Sequence, residues 1–189
     1  MKTRILFLSA LLLAALLVVT GCKKQKTPAS VDEPTSEAEA RDMSQYMPDM
    51  EIGEIAPYFE APDILGEPVL LSNYIGDYLV IEFWATWCKD CRAELPGMID
   101  LYNKYGPKGV KFLGVSFDTD KKSLLDYCID KKIPWAQACN GVKMKENEMA
   151  LLYDIRWIPT MYLLDPECKI LGICFTAKDL DKMLAGLDL

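Results

Sequence analysis

The sequence contains no histidine, and positive charge is scarce. Without histidine the chain lacks the commonest general base of enzymes and the commonest metal ligand. Lysine and arginine together number 21, against 28 aspartates and glutamates, which gives a net charge of -7. Proteins that bind nucleic acids carry a basic patch. The composition therefore excludes histidine chemistry and argues against a nucleic-acid partner.

Long apolar runs are also rare, and the longest one opens the chain. It spans residues 5–19, is interrupted only by Ser9, and follows the basic residues Lys2 and Arg4. A transmembrane helix needs about 20 apolar residues, whereas the apolar core of a signal peptide needs about 7–15. The run therefore predicts a signal peptide over residues 1–21 and an exported protein.

The apolar run is followed by Thr20-Gly21-Cys22, where small residues precede a cysteine. This ending resembles the cleavage site of bacterial lipoproteins, and the resemblance implies that Cys22 becomes the lipidated first residue of the mature chain. The alternatives are a plain secretory signal with an incidental cysteine, or an uncleaved anchor. We expect a chain anchored by lipid to a bacterial membrane, with its domain facing the periplasm.

The composition changes again after the predicted signal. Residues 22–50 are dominated by Lys, Gln, Thr, Pro, Ala, Ser and Glu and offer few side chains for a core. They are predicted to form a flexible tether. Residues 51–189 are predicted to form the folded domain, because the chain is 51% hydrophobic and can bury a core of ordinary size.

Strands alternate with helices in the predicted domain. Apolar periodicity and turn residues predict a hairpin within residues 53–73, strands at 78–85, 110–117, 133–138, 160–164 and 169–175, and helices at 91–105, 121–132, 146–153 and 178–187. This order is typical of an α/β domain, in which helices flank a central mixed sheet.

Seven cysteines are many for this length, and two of them form the Cys-x-x-Cys motif Cys88–Cys91. The motif lies where the predicted strand 78–85 gives way to the predicted helix 91–105. Unpaired backbone N–H groups and the positive end of the helix dipole stabilise a thiolate at such a position. We predict that Cys88 is the exposed nucleophile and that Cys91, more buried, resolves the mixed disulfide.

The alternative for the motif is one half of a zinc site. Structural zinc takes four ligands, and without histidine the other two would come from four cysteines that form no second Cys-x-x-Cys: Cys128, Cys139, Cys168 and Cys174. We therefore predict a redox pair, no bound metal and no cofactor. The pairing of these four cysteines stays open, with three arrangements if all of them bridge.

The residues around the motif carry a family resemblance. Residues 83–91, FWATWCKDC, resemble the active-site segment of the thioredoxin superfamily. Three further segments are similar to its exported TlpA/ResA-like branch, which is related to the AhpC/TSA redoxins: residues 56–71 to the N-terminal hairpin, residues 91–96 to the helix start, and residues 155–164 to the cis-proline loop. The likeness covers nearly all of residues 51–189.

The resemblance implies a thioredoxin-like fold, with a helix-strand insertion within residues 116–154, and an enzyme that exchanges disulfides with protein substrates. It implies that Pro159 is a cis-proline beside the redox pair, that the Ile158 backbone binds an incoming peptide, and that Trp87 adds apolar surface for the partner. Protein thiols and disulfides are the expected substrates, and a membrane thiol-reducing protein is the expected upstream partner. We expect a monomer.

Two glutamates are candidates for proton transfer. Glu82 lies in the middle of the predicted buried strand, where burial raises the pKa of a carboxyl and suits proton exchange with Cys91. Glu94 follows Cys91 by one helical turn, so the two share a helix face. The resemblance implies a glutamate near the redox pair at this position. Either side chain could instead face solvent, and the choice between them stays open.

The dipeptide Lys89-Asp90 between the cysteines differs from the thioredoxin one, in which proline precedes the second cysteine. Asp90 disfavours negative charge on Cys88, and Lys89 partly offsets this effect. We therefore expect a reductase, closer to thioredoxin at about -270 mV than to a strong oxidant at about -120 mV. Cytochrome maturation, disulfide repair and peroxide defence all stay open as pathways.

Two other functions are weighed against thiol-disulfide exchange. A peroxiredoxin-like peroxidase has a threonine three residues before its reactive cysteine, whereas this chain has Ala85 there and Thr86 one position later. A non-catalytic metal-binding module, such as a copper carrier, is disfavoured by the lack of histidine and of a methionine near the site.

Overall fold

The computed structural model describes residues 42–189, and the statements below concern that part of the chain. The predicted signal peptide over residues 1–21, the predicted lipidation site Cys22 and most of the predicted tether lie outside the described residues. No helix within residues 42–189 is both long enough and apolar enough to cross a membrane.

A five-stranded mixed sheet and a separate two-stranded hairpin form the framework of the described chain. The elements in chain order are β1 (Glu60–Pro62), β2 (Pro68–Leu70), β3 (Leu79–Trp84), α1 (Lys89–Tyr105), β4 (Lys111–Ser116), α2 (Lys121–Lys131), β5 (Ala136–Ala138), α3 (Glu148–Leu152), β6 (Thr160–Leu164), β7 (Ile170–Cys174) and α4 (Ala177–Ala185).

Strand β3 lies at the centre of the sheet, whose order is β5-β4-β3-β6-β7. All of its residues are buried, as expected for a run of branched and aromatic side chains. Ile81 and Phe83 belong to one apolar cluster and Val80 to the other, because successive side chains of a strand point to opposite faces. The strand runs parallel to β4 and antiparallel to β6, so the predicted mixed sheet is confirmed.

The predicted N-terminal hairpin is present as β1 and β2, which pair antiparallel. Its turn is held by Asp63, whose Oδ1 accepts hydrogen bonds from the backbone N–H groups of Leu65 and Glu67, both at 2.8 Å. Gly66 has a φ of 99° in this turn, a conformation that glycine adopts without a steric penalty.

The order of the remaining elements brings one edge of the sheet to the Cys-x-x-Cys motif. β3 and β4 are parallel, so the residues that follow both strands meet at the same edge. Helix α1 begins there and contains Pro96 without ending at it. A helix and a strand, α2 and β5, lie between β4 and β6, as predicted within residues 116–154.

The described chain begins before the predicted domain boundary at residue 51. Residues 42–50 belong to the same compact unit as the rest of the described chain. Pro48 is buried, and Met50 packs against an apolar cluster of the core. The tether was therefore predicted to end too late, because a segment of mostly polar composition is held here by a few specific contacts that composition does not reveal.

Candidate active site

Cys88 is the N-cap residue of α1, and its side chain faces the first turn of the helix. Its Sγ accepts a hydrogen bond from the backbone N–H of Cys91 at 3.2 Å. This is one of the N–H groups that a helix start leaves without an intrahelical partner. Cys88 is 8% exposed and Cys91 is fully buried. The structure thus brings both motif sulfurs into one helical turn, with Cys88 the outer of the two. The prediction that Cys88 is exposed is wrong, because packing at the helix start buries it.

The cis-proline loop lies directly against Cys88. The Ile158–Pro159 peptide bond is cis, as the resemblance implies. The Cys88 thiol donates a hydrogen bond to the carbonyl oxygen of Ile158, with an Sγ–O distance of 3.5 Å. The structure therefore places Ile158 and Pro159 beside the first cysteine, although they are distant in sequence.

A groove of about 350 Å³ opens over Cys88, and its walls include Trp87, Trp157 and Ile158. A second groove of about 440 Å³ shares Trp87 and Met144 with the first. Trp87 is 59% exposed. Cys88 thus lines a groove whose walls include two tryptophan side chains.

Met144 corrects one premise of the sequence interpretation. It lines both grooves and so lies near the motif in space, although it is distant in sequence. The argument that no methionine is near the site is therefore wrong. Within the described residues, however, no group of three or more Cys, Asp or Glu side chains is arranged to hold a metal ion.

Glu82 lies in β3 and is 2% exposed. Burial raises the pKa of its carboxyl to about 8, and the nearby charge of Glu94 adds to the shift. No hydrogen bond from the described residues reaches its Oε2. Burial also raises the pKa of the Cys91 thiol, with smaller contributions from Cys88 and from the charge of Glu82. Glu82 and Cys91 are thus neighbours that both retain a proton.

Glu94 was expected to lie near the redox pair, but its carboxylate binds the start of another helix. Its Oε2 accepts a hydrogen bond from the backbone N–H of Ala177, at 2.7 Å. Ala177 opens α4, and unpaired N–H groups at a helix start favour a carboxylate. The structure therefore engages Glu94 in joining α1 to α4, and its link to the redox pair runs through its charge on Glu82.

Asp118 is a site residue that the sequence interpretation missed. Its Oδ2 accepts hydrogen bonds from the Thr86 backbone N–H at 2.9 Å and from the Ser116 hydroxyl at 2.7 Å, and its Oδ1 accepts one from the Thr86 hydroxyl at 2.6 Å. Asp118 thus holds the turn that leads into Trp87 and Cys88. The sequence offered one signal for this role. Asp118 directly follows the predicted strand 110–117, just as the motif follows the predicted strand 78–85.

Replacing Asp118 by alanine is expected to lower the free energy of unfolding by about 2–4 kcal/mol, because several donors near the buried turn would lose their acceptor. Urea unfolding followed by circular dichroism measures this change. Asp126→Ala is the matched control, since Asp126 is exposed and its ion pair with Lys122 lies on the surface of α2. Equal losses in the two variants would contradict a special role of Asp118.

The remaining described cysteines are four buried free thiols: Cys128, Cys139, Cys168 and Cys174. Burial raises the pKa of Cys128 and that of Cys174 to about 12. Burial also raises the pKa of Cys139 and of Cys168. None of the three pairings left open by the sequence is present among them, and Cys128 packs in the core as a small apolar group.

Comparison with known proteins decides the family. The model of the AhpC/TSA family matches residues 52–173. The chain belongs to the AhpC/TSA family. It is 36% identical over 139 residues to the thiol-disulfide oxidoreductase ResA of Oceanobacillus iheyensis, which covers 70% of this chain and 69% of that protein. The ResA of Bacillus thuringiensis subsp. konkukian is 33% identical over 124 residues, 65% of this chain and 68% of its own.

A solved structure agrees with these relatives. The thiol-disulfide oxidoreductase from Bacteroides fragilis superposes with a TM-score of 0.65 and 30% identity, covering 70% of this chain and 98% of its own. The thioredoxin-like fold and the TlpA/ResA-like assignment predicted from the motif segments are thereby confirmed. The AhpC/TSA chain is an oxidoreductase of the thiol-disulfide type.

Proposed function

We propose that Cys88 and Cys91 are the redox pair with which this enzyme reduces disulfides of protein substrates. The observation that carries the proposal is the position of Cys88 Sγ. It lies at the start of α1, 3.2 Å from the Cys91 N–H and 3.5 Å from the Ile158 carbonyl. Cys88 also lines the groove that Trp87 lines. A sulfur placed in this way can accept negative charge and meet a bound peptide at once.

The proposed reaction has two steps that exchange one disulfide for another. The Cys88 thiolate attacks one sulfur of the substrate disulfide, so that a Cys88–substrate bond forms and the other substrate sulfur leaves as a thiolate. Cys91 then loses its proton and attacks Cys88 Sγ, which releases the second substrate thiolate and leaves a Cys88–Cys91 disulfide. The substrate gains two electrons and the enzyme loses two.

Glu82 is the proposed acceptor of the Cys91 proton. With a pKa of about 8, a minor fraction of the carboxyl is ionised at neutral pH, and this ionised form is the one that accepts the Cys91 proton and later releases it. The alternative acid, Glu94, is engaged by the Ala177 N–H. It therefore acts in this proposal through its charge on Glu82, as a positioning residue.

The proposal that the enzyme reduces its substrates rests on the dipeptide Lys89-Asp90. The negative charge of Asp90 disfavours a thiolate at Cys88, and a pair whose reduced form is less stabilised is a better reductant. Each turnover leaves a Cys88–Cys91 disulfide, which an electron donor must reduce again. We propose that this donor is a thiol-reducing membrane protein. Export and lipid anchoring at Cys22 rest on the apolar run over residues 5–19 and the small residues that follow it. We propose that the domain works as a monomer facing the periplasm.

Trapping of the mixed disulfide tests the proposed site. The full chain carrying Cys91→Ala should accumulate Cys88–substrate disulfides, because the resolving thiol is missing. Acid quenching, alkylation and non-reducing electrophoresis should show several protein adducts that disappear with dithiothreitol. Cys88→Ala/Cys91→Ala and Cys174→Ala are the controls, and both should yield none.

Recovery of the same adducts from the double variant would contradict the assignment of Cys88 as the nucleophile. Failure to recover any adduct from Cys91→Ala would contradict the two-step exchange itself. Peroxide turnover by the purified protein with a small thiol as the only reductant would instead favour the peroxidase alternative.

A further inference from the structure

Residues 42–50, called here the N-terminal strap, lie against the cis-proline loop. A short 3-10 turn over Ser44–Tyr46 opens the strap. The ring of Tyr46 contacts the ring of Trp157, with centroids 4.7 Å apart and planes tilted by 39°. This distance is within the range of favourable aromatic pairs. The strap thus touches the residue that immediately precedes Ile158.

Arg156 and Asp154 hold the strap at two further points. The Nη1 of Arg156 donates a hydrogen bond to the Met47 carbonyl at 3.2 Å. Asp154 accepts one from the Asp49 backbone N–H at 2.8 Å. The two side chains also bind each other, with Arg156 Nε 3.1 Å from Asp154 Oδ1. One ion pair therefore connects two backbone groups of the strap to the loop.

The residues that hold the strap also wall the groove over Cys88. Arg156, Trp157 and Ile158 line that groove together with Cys88 itself. The Ile158 carbonyl is the group that contacts Cys88 Sγ. A change in the position of Trp157 or Arg156 would therefore alter the groove next to the reacting sulfur.

We propose that the strap completes the substrate-binding groove, with Tyr46 and Arg156 as positioning residues that hold Trp157 as a wall of the groove for an incoming cysteine-bearing peptide. This inference rests on the proposed function of Cys88. Neither residue is assigned to the chemical step. Loss of the strap contacts should weaken peptide binding and leave the reactivity of the Cys88 sulfur intact.

Tyr46→Ala in the otherwise intact chain tests the proposal. The substrate is a peptide that contains one intrapeptide disulfide. Its reduction is measured at steady state, while a thiol reductant returns the enzyme to its reduced form, and the rate without enzyme is subtracted. KM is expected to rise about 3- to 10-fold, the size expected for the loss of one aromatic pair, with kcat changed less than about 2-fold. With bis(2-hydroxyethyl) disulfide, which has no peptide groups to bind in the groove, the rate is expected to equal that of the wild type.

Two variants serve as controls and a third gives an independent reading. Tyr46→Phe keeps the ring and should restore the wild-type KM. Tyr58→Ala removes an exposed tyrosine that lines neither groove at Cys88, and should leave KM unchanged. Arg156→Gln breaks the link to Met47 and Asp154 and should raise the peptide KM in the same direction.

An unchanged peptide KM in Tyr46→Ala would overturn the proposal. Equal slowing with the peptide and with the small disulfide would also overturn it, because that pattern indicates damage to the site as a whole. Failure of the proposed function would look different, since the wild type would then show no Cys88-dependent exchange with either substrate.

Discussion

Replacing Cys88 by serine is expected to reduce the rate of protein-disulfide reduction by about 10³-fold or more. A serine hydroxyl does not ionise near neutral pH and cannot form a disulfide, so both proposed steps are lost. The fold should tolerate the change well. Serine is a favoured N-cap residue, and its oxygen can accept the hydrogen bond that Cys88 Sγ takes from the Cys91 N–H.

The measurement is the initial rate of reduction of a protein disulfide, together with urea unfolding of the same preparation. Cys174→Ala is the matched control, because Cys174 is a buried thiol outside the motif. It should retain the wild-type rate. Cys88→Ser activity within tenfold of the wild type would show that another thiol performs the exchange.

Replacing Glu82 by glutamine is expected to remove most of a pH dependence of stability. The folded wild type keeps the Glu82 proton up to a pKa of about 8, whereas the unfolded chain releases it near the ordinary value of 4.5. Between these values the folded state binds more protons, so the free energy of unfolding falls as pH rises, by about 1.4 kcal/mol per pH unit. This stabilisation is fully present below pH 4.5 and is lost by pH 8.

Urea unfolding at pH 5, 6, 7 and 8 measures the slope for the wild type, Glu82→Gln and the control Glu94→Gln. Glu82→Gln should lack the part of the slope that comes from titration of Glu82. Its stability relative to the wild type should therefore be higher at pH 8 than at pH 5. Glu94→Gln keeps an oxygen that can accept from the Ala177 N–H, and should retain most of the slope. The same slope in all three proteins would show that Glu82 does not titrate in this range.

The Glu82 variant should also separate the two chemical steps. Attack by Cys88 does not use the buried carboxyl and should be nearly unchanged. Resolution by Cys91 should slow, and the mixed disulfide should persist long enough to be seen by rapid acid quenching. A variant that slows attack and resolution equally would argue against proton transfer between Glu82 and Cys91.

Features set by local sequence could be predicted from the chain alone. The run of branched and aromatic residues before Cys88 predicts a buried strand, and the apolar spacing after Cys91 predicts a helix, so the motif was placed at a helix start. The turn residues around Gly66 likewise predict the hairpin. These signals depend on residues close in sequence, and the structure confirms the elements.

Features that depend on distant contacts could not be predicted. Glu94 shares a helix face with Cys91, but the unpaired N–H groups of α4, which attract its carboxylate, come from the far end of the chain. Asp118, just after β4, accepts a hydrogen bond from Thr86, just after the adjacent strand β3 and 32 residues earlier in the chain. The strap reads as a polar tether because its few contacts with residues 154–157 leave no periodic pattern.

The four buried thiols outside the motif have a consequence for side reactions with disulfides. Burial holds the pKa of each one above its usual value, so each stays protonated at neutral pH, and a protonated thiol is a poor nucleophile. The packing that buries these thiols in the core therefore also slows their reaction with disulfides. Within the described residues, this protonation would keep these four thiols out of the exchange proposed for Cys88 and Cys91.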